Sequence, residues 1–156
     1  MRRVVRDSSN EIRFDEPHPR RLTPTSDSSQ FLRALRSLVP ASSVVYFEDI
    51  GEKHVTRVLQ RLSVSAPVRV ARGTMFPRPD YYHVALTTDN MEEIATYLDN
   101  HPTGHFCTHC CVYRDRKILL AWYDAFLDDP MYISWTIDES EVNRFASVIR
   151  STYRVV

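Results

Sequence analysis

Glycine is scarce in this chain, with three in 156 residues. Loops that cradle phosphate on bare backbone depend on glycine, so that kind of site is not expected. Cysteine is sparse too. Three residues, an odd number within positions 107–111, do not make the framework of a disulfide-stapled protein. Long apolar runs are missing: the stretch near Ile118 is far too short to span a bilayer, and no membrane association is expected. The amino terminus is basic but has no apolar signal core, and Asp7, Glu11, Asp15 and Glu16 argue against a transit peptide. Cytoplasmic residence follows as the default. No stretch matches a catalytic or cofactor motif, so no cofactor is expected.

Net charge is absent as well, with 20 basic and 20 acidic residues. The distribution is uneven. Residues 1–78 hold 14 Lys and Arg against 8 Asp and Glu, and residues 79–156 hold 6 against 12, so the halves carry +6 and −6. Such asymmetry either makes a dipolar surface that steers partners or is consumed in ion pairs between the halves. Composition is otherwise that of a globular protein, 43% hydrophobic and 26% charged, and the length suits one domain with a real core.

Residues 1–26 are polar, arginine-rich and punctuated by Pro17, Pro19 and Pro24. They read as an N-terminal arm or a small hairpin about residues 7–10, ahead of a single α+β domain over 27–156. A helix starts after Ser26 or Asp27, with Phe31, Leu32, Leu35, Leu38 and Val39 on one face, and stops at Pro40. Residues 43–47 read as a buried strand. A second helix covers 52–62, with Val55, Val58, Leu59 and Leu62 inward. Val68 and Val70 alternate with Arg69 and Arg72 in a half-exposed strand, and 73–80 form a proline-containing loop. Residues 81–86 make the next strand. Thr87 to Asn90 start a third helix whose inner face is Met91, Ile94, Ala95 and Leu98. Val142, Phe145, Ala146, Val148 and Ile149 face inward on a last helix opened by Asp138.

Between the third and last helices, residues 104–137 hold three β-rich runs broken at 114–117 and 127–130, a three-stranded meander. The fold class is α+β: a mixed, mostly antiparallel sheet of about six strands with helices mainly on one face. The β-α-β order predicts a right-handed crossover. Even-length turns would pair Cys111 with Leu120, His109 with Trp122, Cys107 with Asp124, and Trp122 with Trp135. One face then holds Cys111, Ile118, Leu120, Trp122, Phe126, Met131, Ile133, Trp135 and Ile137, the core under the helices. The other holds Thr108, Cys110, Val112, Leu119, Ala121, Tyr123, Tyr132, Ser134 and Thr136. An odd turn would flip one strand's faces.

His105, Cys107, His109 and Cys111 alternate, with Cys110 adding a C-x-x-C spacing. Zinc is disfavoured: strand residues two apart are separated by about 6.7 Å, while ligands sit within roughly 2.0–2.3 Å of the ion. No metal site is expected. On the predicted register Cys107, His109 and Asp124 converge, the makings of an activated nucleophile. The plainer reading is small buried thiols and a histidine held by a carboxylate.

From Ile118 to Asn143 there are six acids and no Lys or Arg. Asp128 and Asp129 sit at a turn, Glu139 opens a helix, and Tyr123 and Tyr132 lie on the milder sheet face. These five residues are the candidate binding surface. Arg69, Arg72, Arg78, Phe76, Tyr81 and Tyr82 resemble a single-strand platform, but a neutral chain argues against nucleic acid. The favoured expectation is a small protein-binding or immunity-like inhibitor domain engaging a basic protein. The alternatives are an enzyme using the Cys107, His109 and Asp124 cluster or a bound metal, and an RNA-binding module.

Overall fold

Asp27 caps the first helix, its carboxylate accepting the Gln30 N–H at 3.0 Å. In the computed structural model this helix is α1, Ser28–Leu38, and Phe31, Leu32, Leu35 and Leu38 are all buried. The structure describes residues 11–12, 14, 16–49, 53–65, 68–70, 80–103 and 106–154. All of the expected loop at 73–80 but Asp80, which opens a strand, and most of the expected hairpin at the amino terminus lie outside the described residues, as do Phe76, Arg72, Arg78 and His105.

The strands are β1 (Glu11–Ile12), β2 (Arg20–Leu22), β3 (Val44–Asp49), β4 (Arg69–Val70), β5 (Asp80–Ala85), β6 (His109–Arg114), β7 (Lys117–Trp122), β8 (Met131–Ile133) and β9 (Tyr153–Arg154). The remaining helices are α2 (Lys53–Leu62), α3 (Thr88–Asn100) and α4 (Glu139–Val148). Seven strands form one sheet in the order β5-β3-β6-β7-β8-β2-β9, and β1 pairs with β4 in a separate two-stranded sheet. The fold is α+β with the expected meander, β6-β7-β8.

Among the described residues parallel pairing is confined to β1 and β4, and every pair in the large sheet is antiparallel. The β-α-β unit is therefore split: β5 and β6 both run against β3, which lies between them, and α3 makes the crossover. The large sheet lacks β4, one of the expected six strands, which pairs with β1 instead, and gains two strands from nearer the chain ends. β2 and β9 are three and two residues long, too short to show alternation, and are created by pairing alone.

Helices α1, α3 and α4 pack on one face, with α1 touching both others and α2 resting on α3. The opposite face carries a smaller cluster of Ile12, Tyr46, Cys111, Tyr113, Ile118 and Ala121, with Phe14, Val68 and Val70 packed against it. Both faces of the central strands are thus covered, and His109 through Tyr113 are all buried.

The predicted register fails at one residue. Tyr113 pairs with Ile118 as expected, but a bulge follows and Val112 pairs with Leu120, Cys111 with Ala121 and Cys110 with Trp122. The extra residue is Leu119, and beyond it every side chain exchanges faces. Cys110 and Val112 enter the core under the helices, while Cys111 and Ile118 join the second cluster. The next turn is longer than expected. Leu120 pairs with Ile133 and Ala121 with Tyr132, so Trp122 does not meet Trp135. Trp122 is 0% exposed and Trp135 is 49% exposed. Trp135 instead holds the N-terminal segment: its indole N–H donates to the His18 carbonyl at 2.6 Å, and the Arg20 guanidinium lies 4.4 Å over its ring. Val148, expected inward, is exposed on α4.

Trp122 packs on Phe31 at 5.1 Å and Phe126 at 4.3 Å and donates to the Asp129 carbonyl at 2.9 Å. Trp122→Ala is expected to lower unfolding free energy by about 3–5 kcal/mol. Trp135→Ala, which forfeits a half-exposed cation–π contact and the hydrogen bond to His18, should lose under about 2 kcal/mol. Urea denaturation of the two variants checks the ordering, and equal losses would contradict the register.

Candidate functional site

The two ends of the sheet differ. At one end β7 leads through residues 123–130 into β8. At the other lie the β6–β7 turn, with Asp115 at φ 54°, and the start of α4. A groove of about 760 Å³ separates that turn from α4, lined by Arg114, Arg116 and Lys117 on one wall and Asp138 and Glu141 on the other.

The six acids of the lysine- and arginine-free run are therefore divided. Asp124, Asp128 and Asp129 are exposed at the 123–130 end. Asp138, Glu139 and Glu141 stand at the far end, where Glu141 pairs with Arg144 at 3.0 Å. Other acids of the C-terminal half meet bases of the N-terminal half. Arg33 binds Glu92 and Asp99 at 2.9 Å each, and Arg61 pairs with Glu93. Arg33 holds Glu92 below the usual carboxylate range, and hydrogen bonds from Ser29 and Arg33 do the same for Asp99. These pairs are exposed and contribute little to stability, and they offset part of the charge asymmetry.

The 123–130 loop is held firmly. The Asp124 N–H donates to His109 Nδ1 at 3.0 Å, Ala125 N–H to the Thr108 carbonyl at 2.8 Å, and Leu127 N–H to the Asp124 carbonyl at 3.2 Å. Asp124 and Phe126 adopt positive φ, 48° and 64°. For a residue such as Phe this costs about 1–2 kcal/mol. Full burial of such a ring is worth roughly 1.5–3 kcal/mol, so the partial burial here is of the size needed to offset the strain. That ring lies against Trp122, Phe106 at 5.1 Å and Phe31 at 5.7 Å. Its neighbour Leu127 is left 54% exposed among the three carboxylates.

The residues of the expected nucleophile do not share a face. Cys107 is buried in the core under the helices. His109 lies on the opposite face, edge-on to Tyr123 at 5.7 Å. Asp124 reaches the imidazole through its main-chain N–H rather than its carboxylate. All three thiols are free and buried. Burial, with Cys107 as neighbour, pushes the Cys110 thiol well up, and burial does the same for Cys111. Thiolates are the reactive form, so these shifts disfavour reactivity of Cys110 and Cys111. Tyr132 lies on the second face beside Phe14 and Arg21. Tyr82, a member of the expected single-strand platform, is buried under the helices, whereas Tyr81 is exposed.

Sequence reading missed a polar cluster on the second face. Glu48 is fully buried and accepts the Tyr46 hydroxyl at 2.9 Å. It pairs across the strands with His109 on one side and Tyr81 on the other. His83 Nδ1 lies 2.8 Å from the Tyr113 hydroxyl. Burial lowers the His83 pKa, pushes Tyr113 up to about 12 and pushes Tyr46 higher still. The signal was present as period-two alternation: Tyr46 and Glu48, Tyr81 and His83, His109, Cys111 and Tyr113. Among the described residues no group of three or more His, Cys, Asp or Glu is placed to hold a metal ion, and no helix is long and apolar enough to cross a membrane.

Neither a family model, nor a curated protein, nor a solved structure matches the chain.

His83 sets a pH window. Its folded pKa is depressed below the ordinary value of about 6.5, so the unfolded chain binds the proton more readily. Stability is fully present above that value and is lost as pH falls below it. The carboxylates bound to Arg33 act only lower, through the acid range. The urea midpoint is expected to drop between about pH 7.5 and about pH 5.5, and His83→Gln, which can still bond Tyr113, should flatten that drop. An unchanged slope in the variant would assign the dependence elsewhere.

Proposed function

We propose that this chain is a protein-binding module, inhibitor-like in its mode of action, and that its contact is the 123–130 loop. One observation carries this reading: Leu127 stands 54% exposed among Asp124, Asp128 and Asp129 on a backbone already fixed by hydrogen bonds. An exposed apolar side chain with charged neighbours in sequence offers an anchor for a partner's pocket. A rigid loop loses little entropy on binding, so more of the contact free energy becomes affinity. The three carboxylates speed encounter with a basic surface. The partner that fits is a basic protein with a small apolar pocket. Tyr123, at the base of the loop, extends the contact toward the second sheet face, with Tyr132 farther along it. Glu139 belongs to the other end and is left out.

Burial of all three thiols counts against an enzyme built on Cys107. Free thiols fit a reducing compartment, and a cytoplasmic setting is part of the proposal.

Leu127→Ala is expected to weaken partner binding by about 2 kcal/mol. Asp128→Asn with Asp129→Asn should slow association, most clearly at low salt, and leave dissociation nearly unchanged. All three positions are exposed, so melting temperatures should match the parent. The test captures binding proteins from the native cell with parent and variant baits at low salt, then measures association of the recovered protein in purified form. A basic partner lost by both variants supports the proposal. A partner set that is unchanged by both removes its basis.

A further inference from the structure

Two imidazoles meet where α2 begins and α3 ends. His54 lies in the first turn of α2, and His101 is the C-cap residue of α3. Both are exposed. Their ring centres are 6.2 Å apart with planes within 18° of parallel, and both line a cavity of about 220 Å³ together with Val55 and Tyr97.

His101 is oriented by its own helix. The Tyr97 ring stacks on it at 4.3 Å, and His101 Nδ1 lies 3.1 Å from the Tyr97 carbonyl. A carbonyl only accepts, so Nδ1 carries the proton and Nε2 keeps its lone pair. A histidine that ligates a metal is held in this way, giving its other N–H to a carbonyl or carboxylate. Among the described residues the His54 ring has no hydrogen-bond partner, and rotation about its side-chain bonds can turn a lone pair toward His101. Two imidazoles sharing one ion at about 2.0–2.1 Å have ring centres roughly 5–6 Å apart; the rings here are near-parallel at 6.2 Å, so the His54 ring must swing for both lone pairs to meet one ion. The end of α3 adds partial negative charge from its last carbonyls. Lys53 and the start of α2 oppose a cation, but both are solvated, and nitrogen lone-pair bonding dominates for borderline ions.

We infer that His54 and His101 form an open two-histidine site for a divalent first-row transition ion. Water completes the coordination, since among the described residues no third His, Cys, Asp or Glu joins them. The bound ion ties the start of α2 to the end of α3.

Zn²⁺ alone, titrated calorimetrically into tag-free protein, tests this. One ion per chain is expected to bind saturably. His54→Gln and His101→Gln should each weaken binding about tenfold or more, and the double variant should abolish it. Tyr97→Phe, which keeps the carbonyl, should bind as the parent does. Without metal the variants should melt like the parent, and Zn²⁺ should raise the melting temperature of the parent but not of the double variant. Absence of saturable binding overturns the inference. So does stoichiometric binding that survives in the double variant, which would place the ion elsewhere.

Discussion

The pairing of β3 with β6 is the constraint on which the rest of the molecule depends. From Val44 with Tyr113 to Glu48 with His109, each residue pair sits between two covered faces. Alternate side chains therefore enter two different interiors. Val45, Phe47, Cys110 and Val112 go under the helices, and Tyr46, Cys111 and Tyr113 go under the small sheet. A slip of one residue in β3 would drive Glu48 into the aliphatic core. An uncompensated polar group there costs several kcal/mol, so the register is strongly specified.

Covering the second face also decides the chemistry of its polar groups. Away from water each must find a partner in the chain, and Tyr46 with Glu48 and His83 with Tyr113 are such solutions. The same burial favours uncharged forms, holding the tyrosines and thiols protonated and His83 unprotonated. The arrangement stiffens the centre of the sheet and supports, through His109, the loop that begins at Asp124.

That loop shows how packing and surface are linked. Phe126 takes an unfavourable backbone conformation because its ring completes an aromatic cluster with Phe31, Phe106 and Trp122. Turning Phe126 inward leaves Leu127 outward beside the carboxylates. Elsewhere Arg33 and Arg61 join the basic first half to three acids on α3. The exposed carboxylates of the loop gain nothing comparable from the fold.

Element identities were legible because their signals are local. Asp27 and Thr87 announce α1 and α3, and the spacing of Phe31, Leu32, Leu35 and Leu38 or of Met91, Ile94, Ala95 and Leu98 names the buried face without any neighbour. Register was not legible. A bulge at Leu119 has no marker in a run of apolar residues that are acceptable on either face, yet it reassigns Cys110, Cys111, Val112 and Ile118. Strands β2 and β9 were equally hidden, because two or three residues become a strand only when an open edge receives them. The sequence by itself determined the α+β class, the helices and the meander, since capping chemistry and hydrophobic period act within one segment. Tertiary structure alone decided which residues share a face, which acids are paired and which histidines meet, because those outcomes depend on distances between segments far apart in the chain.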